Sequence, residues 1–234
     1  MMKENCESAR QKYKPEIIKF LLIAEAPPKI ESERFFYFED VQKYDYLFLE
    51  TMKVLYPNDS DIKNGNTKNV RRRKREFLAK FKKCGFYLID ASDEPIKDKS
   101  KSAKRKQIEK FLPSLIANVR SLVPKDTKII LISSTVHGVC YKKLKEEKRF
   151  NVINGCPIPF PIGWQKVFRE RLSKLLRRYV SEHRKIQYKG YSQLFCVNFL
   201  LSHSLKNGRL LRTFPIGFDF QCNSILKEIN AKSI

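Results

Sequence analysis

Short apolar runs alternate with helix-length amphipathic segments along the first 180 residues of this chain. Four of the runs are continuously apolar, as is typical of strands that are buried on both faces of a sheet. They lie near residues 20–25, 86–90, 128–133 and 150–153. Because parallel strands need crossover connections long enough for a helix, the pattern predicts a three-layer α/β fold with a mainly parallel central sheet flanked by helices.

Helical spacing of apolar residues predicts the intervening elements. The predicted helices cover residues 41–55, 71–81, 108–122 and 165–179, and residues 1–15 form a charged lead-in that is compatible with a helix. Pro113 predicts a kink in the third of these helices, or a later start. Residues 58–69 are predicted to be an exposed loop and residues 97–106 a mobile, Lys- and Ser-rich segment.

The last part of the chain has a different pattern. Residues 194–201 and 210–218 are predicted to form a hairpin about Asn207-Gly208, a strong turn signal. We therefore expect one α/β domain over residues 1–190. Residues 191–234 are expected to be a C-terminal extension packed on the same domain.

Two of the predicted strands end in a carboxylate. Glu25 precedes Pro27-Pro28, which lack N–H donors and cannot continue a central strand, and the second strand ends at Asp90. The carboxyl ends of parallel strands meet at one edge of a sheet, where open α/β sheets bind ligands. Glu25 and Asp90 are therefore predicted to share one pocket. The aromatic run Phe35-Phe36-Tyr37 is either a stacking platform at that pocket or part of the core.

The charge of the chain points to a polyanionic partner. The 234 residues carry a formal net charge of +23, with 48 Lys and Arg against 25 Asp and Glu. Three basic clusters lie at residues 71–75, 97–106 and 169–178. The first cluster opens a predicted helix, where cations oppose the helix dipole, which favours an anionic partner over a solvated face. Basic charge alone does not choose DNA over RNA.

Several classes of protein are not expected. The six cysteines show no C-x-x-C spacing, so neither a zinc site nor another metal or cofactor is predicted, and reduced thiols of an intracellular protein are the default. No apolar run approaches the length of a membrane span, and the polar N-terminus is not a secretory signal. We expect a monomer that does not bind membranes, located in the cytoplasm with the nucleoid or, in a eukaryote, in the nucleus.

The order of the motifs suggests a family. The stretch Ala24-Glu25-Ala26-Pro27-Pro28 ends the first strand, Asp90 ends the second, an Ile-rich third strand follows, and the Pro-rich stretch 156–161 precedes an amphipathic helix. In this order the chain resembles the uracil-DNA glycosylase superfamily over about residues 17–180. The Glu-Ala-Pro turn looks like the first motif of the thermostable, bacterial and archaeal branch. Cys156-Pro157-Ile158-Pro159-Phe160-Pro161 stands where that family carries its second motif, usually His-Pro-Ser.

The resemblance implies the family's fold and base excision, in which a flipped base is stacked, read and cut from its sugar. It implies that Glu25 positions water or stabilises the cationic sugar, and that Asp90 reads the base edge. One of Phe35, Phe36 or Tyr37 would stack on the base. The Pro-rich loop, residues 154–164, would enter the minor groove with Phe160 or Trp164 as a wedge. The residues expected to contact the DNA backbone are Arg71, Arg72, Arg73, Lys74, Arg75, Lys166 and Arg169.

Two departures from the family pattern leave the target base open. Asp90 stands where the family usually has Asn, and an ionised carboxylate only accepts hydrogen bonds, which suits a base edge with amino donors better than uracil. A protonated Asp90 in an apolar pocket would instead donate. The second motif lacks its His, and His137 is the nearest substitute as a base-binding residue.

The sequence is compatible with three functions of different classes. The first is a DNA glycosylase that acts on a deaminated or modified base. The second is a nucleic-acid-binding protein on the same fold without excision activity, and the third is an RNA- or ribosome-associated protein. Nuclease chemistry is less favoured, since the sequence offers no further cluster of metal ligands beside the two acidic strand ends.

Overall fold

The computed structural model describes residues 2–29 and 34–187. Its strands are β1 (Phe20–Ala24), β2 (Phe86–Asp90), β3 (Lys128–Leu131) and β4 (Asn151–Val152). They form one parallel sheet in the order β2-β1-β3-β4. The predicted parallel α/β sheet is therefore confirmed, and each strand lies where the apolar runs placed it. The predicted hairpin and the C-terminal extension lie outside the described residues.

Eight helices occur in the described residues, and they account for most of the chain between the strands. They are α1 (Met2–Lys12), α2 (Tyr46–Leu55), α3 (Ser60–Lys63), α4 (Thr67–Arg72), α5 (Lys74–Lys83), α6 (Lys101–Leu122), α7 (Ser134–Glu146) and α8 (Gln165–Gln187). None of them is both long enough and apolar enough to cross a membrane.

The helices form a layer on each side of the sheet. Helix α6 packs on α7, whereas α2 packs on α8 and α5 packs on β2. Right-handed crossovers put α6 and α7 on one face, because they lead from β2 to β3 and from β3 to β4 in the same direction along the sheet. The connection from β1 to β2 runs the other way and puts α2 and α5 on the opposite face. The result is the predicted three-layer arrangement.

The sheet is the centre of the hydrophobic core. The apolar side chains of the two central strands, β1 and β3, are almost all fully buried because helices cover both faces. At the amino end of the sheet, the Phe20 and Phe86 rings stack at 4.7 Å, and Phe81 of α5 packs on Phe86 at 5.4 Å. The carboxyl ends of the strands, by contrast, lead into long connections.

Several predicted boundaries were wrong, because polar residues that were assigned to loops serve as helix caps. Residues 58–69 contain α3 and the start of α4, whose first turns are capped by the side chains of Asp59 and Asn66. The segment predicted to be mobile contains the start of α6, where the Ala103 N–H donates to the Ser100 hydroxyl at 3.2 Å. Helix α6 then continues through Pro113.

Candidate functional site at the carboxyl edge of the sheet

The strand order defines where a ligand crevice should lie. The chain leaves β1 towards β2 on one side and leaves β3 towards β4 on the other, so the two central strands diverge at their carboxyl ends. Such a switch point is the usual ligand-binding crevice of open α/β sheets. The Ile132 N–H donates to the Ile23 carbonyl at 2.8 Å, which keeps β1 and β3 paired up to this point. Glu25 follows β1, and Ser133 follows β3.

Glu25 and Asp90 lie at the same edge of the sheet, as predicted, but they have different partners. Asp90 is in register with Ala24, one residue before Glu25, and successive side chains of a strand point to opposite faces. Glu25 accordingly pairs with Lys104 of α6 at 2.9 Å, and Asp90 pairs with Arg10 of α1 at 2.7 Å. A cavity shared by the two carboxylates stays a prediction.

The Asp90 carboxyl is buried, and its charge is costly there. Burial raises the pKa of Asp90 to about 6, although the Arg10 guanidinium lowers it and the Asp93 and Glu7 carboxylates raise it further. Arg10 also pairs with Glu7 at 2.7 Å and lies 5.2 Å from the centre of the Phe35 ring. Asp90 is therefore a carboxyl group that changes protonation near pH 6 while it is buried beside Arg10.

The aromatic run is part of the core. The exposed fractions of Phe35, Phe36 and Tyr37 are 2%, 5% and 1%. The Tyr37 hydroxyl donates to the Leu88 carbonyl at 3.2 Å and accepts from the Leu88 N–H at 2.7 Å, so it occupies the free edge of β2. The centre of the Phe36 ring lies 5.8 Å from the centre of the Phe48 ring and 5.3 Å from that of the Phe81 ring. Of the two interpretations of the run, this packing favours the core, and base stacking by these rings stays a prediction.

His137 lies in the first turn of α7, where its ring is held from two sides. Its Nε2 is 3.0 Å from the carbonyl oxygen of Asn154. Because a carbonyl only accepts, this nitrogen carries the proton. The ring also stacks on Tyr141 at 4.7 Å. A base bound here would meet an imidazole that is already positioned by these contacts.

Asn154 is a buried residue that the sequence analysis missed. Its side-chain oxygen accepts from the Leu131 N–H at 2.9 Å, and its amide donates to the Leu131 carbonyl at 3.0 Å and to the Cys156 carbonyl at 3.2 Å. The Ser133 N–H donates to the Ile158 carbonyl at 2.7 Å. The Pro-rich loop is thus fastened to the end of β3. An Asn before Gly is a common turn signal. Nothing in the sequence indicates that the Asn154 side chain pairs with the backbone of β3 as a neighbouring strand would.

The far end of the Pro-rich loop is exposed. Ile162 and Trp164 are 63% and 60% exposed, whereas Phe160 packs partly against the core. Gly163, between the first two, has a φ of 75°, a conformation that favours glycine. Of the two wedge residues suggested by the sequence, Trp164 is therefore the one whose ring is presented to solvent. It directly precedes α8.

Lys74 was assigned to the DNA-contacting cluster, and its position makes that assignment wrong. Its side chain is fully buried, with Nζ 3.5 Å from the Asp45 carboxylate and 4.4 Å from the centre of the Phe48 ring. Burial lowers the pKa of Lys74 to about 8, against the effect of Asp45. The residue has no surface with which to meet a phosphate.

The other basic residues of that cluster divide into two groups. Arg71 pairs with Asp45 at 2.8 Å. Arg73 pairs with three acidic side chains, Asp59, Asp61 and Glu76. Arg72 and Arg75 are exposed. Only part of the positive charge in this cluster is therefore presented to a partner.

Helix α8 carries most of its basic residues outwards. Lys166, Lys174 and Arg177 are exposed, whereas Arg169 pairs with the buried Glu50 of α2. Since Trp164 stands at the start of this helix, an exposed aromatic ring and exposed cations lie in one short stretch. This combination is typical of surfaces that bind nucleic acid.

Comparisons of the chain with protein-family models, curated proteins and solved structures found no match. Within the part of the chain that the structure describes, no group of three or more His, Cys, Asp or Glu side chains is arranged to hold a metal ion. The function is therefore inferred from the residues of the site.

Proposed function

We propose that the protein binds DNA and removes a deaminated or otherwise modified base by flipping it out of the helix. The observation that carries the proposal is the Pro-rich loop. It is fastened to the end of β3 through Asn154 and carries the exposed Trp164 just before a basic helix. A rigid aromatic wedge beside cations is suited to opening a duplex, and the net charge of +23 supplies the attraction to DNA.

Glu25 is the residue proposed to assist the bond cleavage. In excision the bond between the sugar and the base breaks and the base leaves with the bonding electron pair, so the sugar becomes cationic. A water molecule then adds to the sugar, and the proton that it releases goes to the departing base. A carboxylate placed beside that carbon stabilises the developing charge. Glu25 is mostly buried and is paired with the half-buried Lys104, a cation that can transfer from the carboxylate to an incoming phosphate.

Asp90 is the residue proposed to read the base. With a pKa of about 6, the ionised form accepts hydrogen bonds from an amino edge at neutral pH. The protonated form donates to a carbonyl edge at lower pH. On this proposal base preference depends on pH, and Asp90→Asn shifts it towards uracil at all pH values.

A second function is favoured by the same contacts. Both carboxylates already have cationic partners, and the rings of Phe35, Phe36 and Tyr37 are covered. These features fit a nucleic-acid-binding protein of this fold that lacks excision activity, with DNA or RNA as its ligand. In either case the protein would act where nucleic acid is, at the nucleoid or in a nucleus.

An excision assay separates the two functions. Duplexes and single strands that contain a panel of modified bases are incubated with the parent protein, with Glu25→Gln and with the control Glu146→Gln, which alters an exposed carboxylate on α7. We expect base release by the parent and the control, and release slowed about 100-fold by Glu25→Gln at unchanged DNA affinity. Equal rates for all three would remove Glu25 from the mechanism. Tight, salt-dependent binding without any release would establish the second function.

A further inference from the structure

Tyr44 is an exposed aromatic residue in an unfavourable backbone conformation. Its side chain is 48% exposed, and its φ is 64°, in the left-handed region that bulky residues rarely adopt. The Arg34 guanidinium lies 4.9 Å from the centre of its ring, and the Lys43 ammonium lies 5.4 Å from it. Because this ring is exposed and lies beside two cations, it does not contribute to the packing of the core.

The neighbouring residue maintains this conformation. Asp45 is buried and binds Arg71 at 2.8 Å and Lys74 at 3.5 Å. Its carbonyl also accepts from the Leu49 N–H at 3.0 Å in the first turn of α2. Strained backbone persists only where surrounding contacts determine it, and such positions concentrate at functional sites. Here buried ion pairs fix Asp45 and thereby hold the ring of Tyr44 at the surface.

Tyr44 and the exposed end of the Pro-rich loop precede two helices that pack on each other, α2 and α8. Glu50 of α2 pairs with Arg169 of α8, and each of these residues is the fifth of its helix. The start of each helix is therefore only about 6 Å along its axis from the ion pair. Tyr44 precedes the start of α2, and Trp164 precedes the start of α8. Two of the most exposed aromatic rings in the described residues thus flank one helix–helix contact.

We propose that Tyr44 is a stacking platform for an unpaired nucleobase of a single strand, with Arg34 and Lys43 binding the adjacent phosphates. The site is distinct from the strand ends that hold Glu25 and Asp90, and it rests on the proposed nucleic-acid binding but not on excision. A base would replace a cation on one face of the ring. An exposed cation–π contact is weaker than a base–aromatic stack, and the displaced cation gains a phosphate, so the exchange favours the complex.

Binding of two probe strands tests the platform. One probe is a short oligothymidylate, and the other is an abasic strand of the same length, which keeps the phosphates and lacks the bases. Tyr44→Gly should bind oligothymidylate about tenfold more weakly, equivalent to ~1.4 kcal/mol, with no change for the abasic strand. Tyr44→Phe, which keeps the ring, should bind both probes as the parent does.

Two controls exclude a structural explanation. Glycine tolerates a φ of 64°, so Tyr44→Gly should unfold at a denaturant concentration no lower than the parent does. Ile17→Ala removes an even more exposed apolar side chain elsewhere and should not affect either probe. Unchanged oligothymidylate binding by Tyr44→Gly, or an equal loss on both strands, would overturn the platform while leaving nucleic-acid binding intact. A parent that binds neither strand would overturn the platform, and a parent that also fails to bind a duplex would overturn the proposed nucleic-acid binding.

Discussion

The two halves of the sheet's carboxyl edge differ in whether their charged and aromatic side chains are buried or exposed. At the ends of β1 and β2, Glu25 and Asp90 are each paired with a cation, and the nearby aromatic run is covered by the core. Beyond β3 and β4, a loop fastened by a buried amide presents Ile162 and Trp164 to solvent. The first, closed half holds the groups proposed for excision, and the second, open half holds the groups proposed for nucleic-acid binding.

This difference separates two questions about function. On the proposed function, nucleic acid can bind at the open half without any rearrangement, because the Trp164 ring and the cations of α8 are already exposed. The proposed excision requires that Lys104 release Glu25, and that the rings of residues 35–37 become accessible if they are to stack on a base. The energetic demands are therefore unequal, and variants that affect one half should leave the other half largely unchanged.

The largest effect is expected where the open half is fastened to the sheet. Asn154→Ala leaves the N–H and the carbonyl of Leu131 buried without partners. Unsatisfied buried groups cost about 1–3 kcal/mol each, so we expect a loss of about 4 kcal/mol in the free energy of unfolding. Urea denaturation measures this loss. The control Asn118→Ala alters an exposed residue of α6 and should be nearly neutral. A loss below about 1 kcal/mol for Asn154→Ala would contradict the structural role of the amide.

The second largest effect is a pH dependence of the free energy of unfolding that comes from Asp90 in the closed half. Burial raises the pKa of Asp90 from its ordinary value of 3.8 to about 6 in the folded protein. Between pH 3.8 and pH 6 the folded state therefore binds more protons than the unfolded state does. The contribution of Asp90 to the free energy of unfolding is accordingly most favourable below pH 4 and is lost as the pH rises through 6. A shift of this size corresponds to about 3 kcal/mol.

The variant Asp90→Asn isolates that contribution, because the amide oxygen can still accept from Arg10 and the side chain no longer titrates. We expect the difference in unfolding free energy between pH 4 and pH 7.5 to change by about 2.5 kcal/mol between parent and variant, because part of the contribution is already lost at pH 4. All other titrating groups are common to the two proteins. Parallel pH profiles would show that burial does not raise the pKa of Asp90.

The sheet was predictable because it depends on local composition. The runs at 20–23 and 129–132 are continuously apolar, and only strands covered on both faces need that pattern. The site was less predictable because it depends on partners that are distant in sequence. Arg10 is 80 positions from Asp90, and Asp45 is 29 positions from Lys74. A basic run such as residues 71–75 does not reveal which of its members is turned inwards by a buried acid.

Helix starts were also poorly predicted, because the residues that cap a helix are the residues that form turns. Asp59, Asn66 and Ser100 were assigned to loops for their composition, yet each accepts from a backbone N–H in a first turn. The distinction depends on what the following residues pack against. Helices α3 and α4 in particular have few buried residues by which a pattern could identify them.

The smallest of the expected effects concerns the exposed ring of the open half. Trp164→Ala should weaken duplex binding about tenfold, or ~1.4 kcal/mol, because it removes the stacking surface of the wedge. The free energy of unfolding should hardly change, since the side chain is 60% exposed. Fluorescence anisotropy at several salt concentrations measures the loss. Trp164→Phe keeps an aromatic ring and should recover most of the affinity.

The salt dependence distinguishes stacking from charge at this position. Trp164→Ala removes no cation, so the slope of log affinity against log salt should equal that of the parent. Lys166→Ala, two residues further on, should reduce the slope by about 1 and weaken binding to all sequences alike. If Trp164→Ala instead lowered the slope, or left affinity unchanged while Lys166→Ala weakened it, the loop would act as a support for the basic helix. The open half of the edge would then bind DNA through its charges alone, without a wedge.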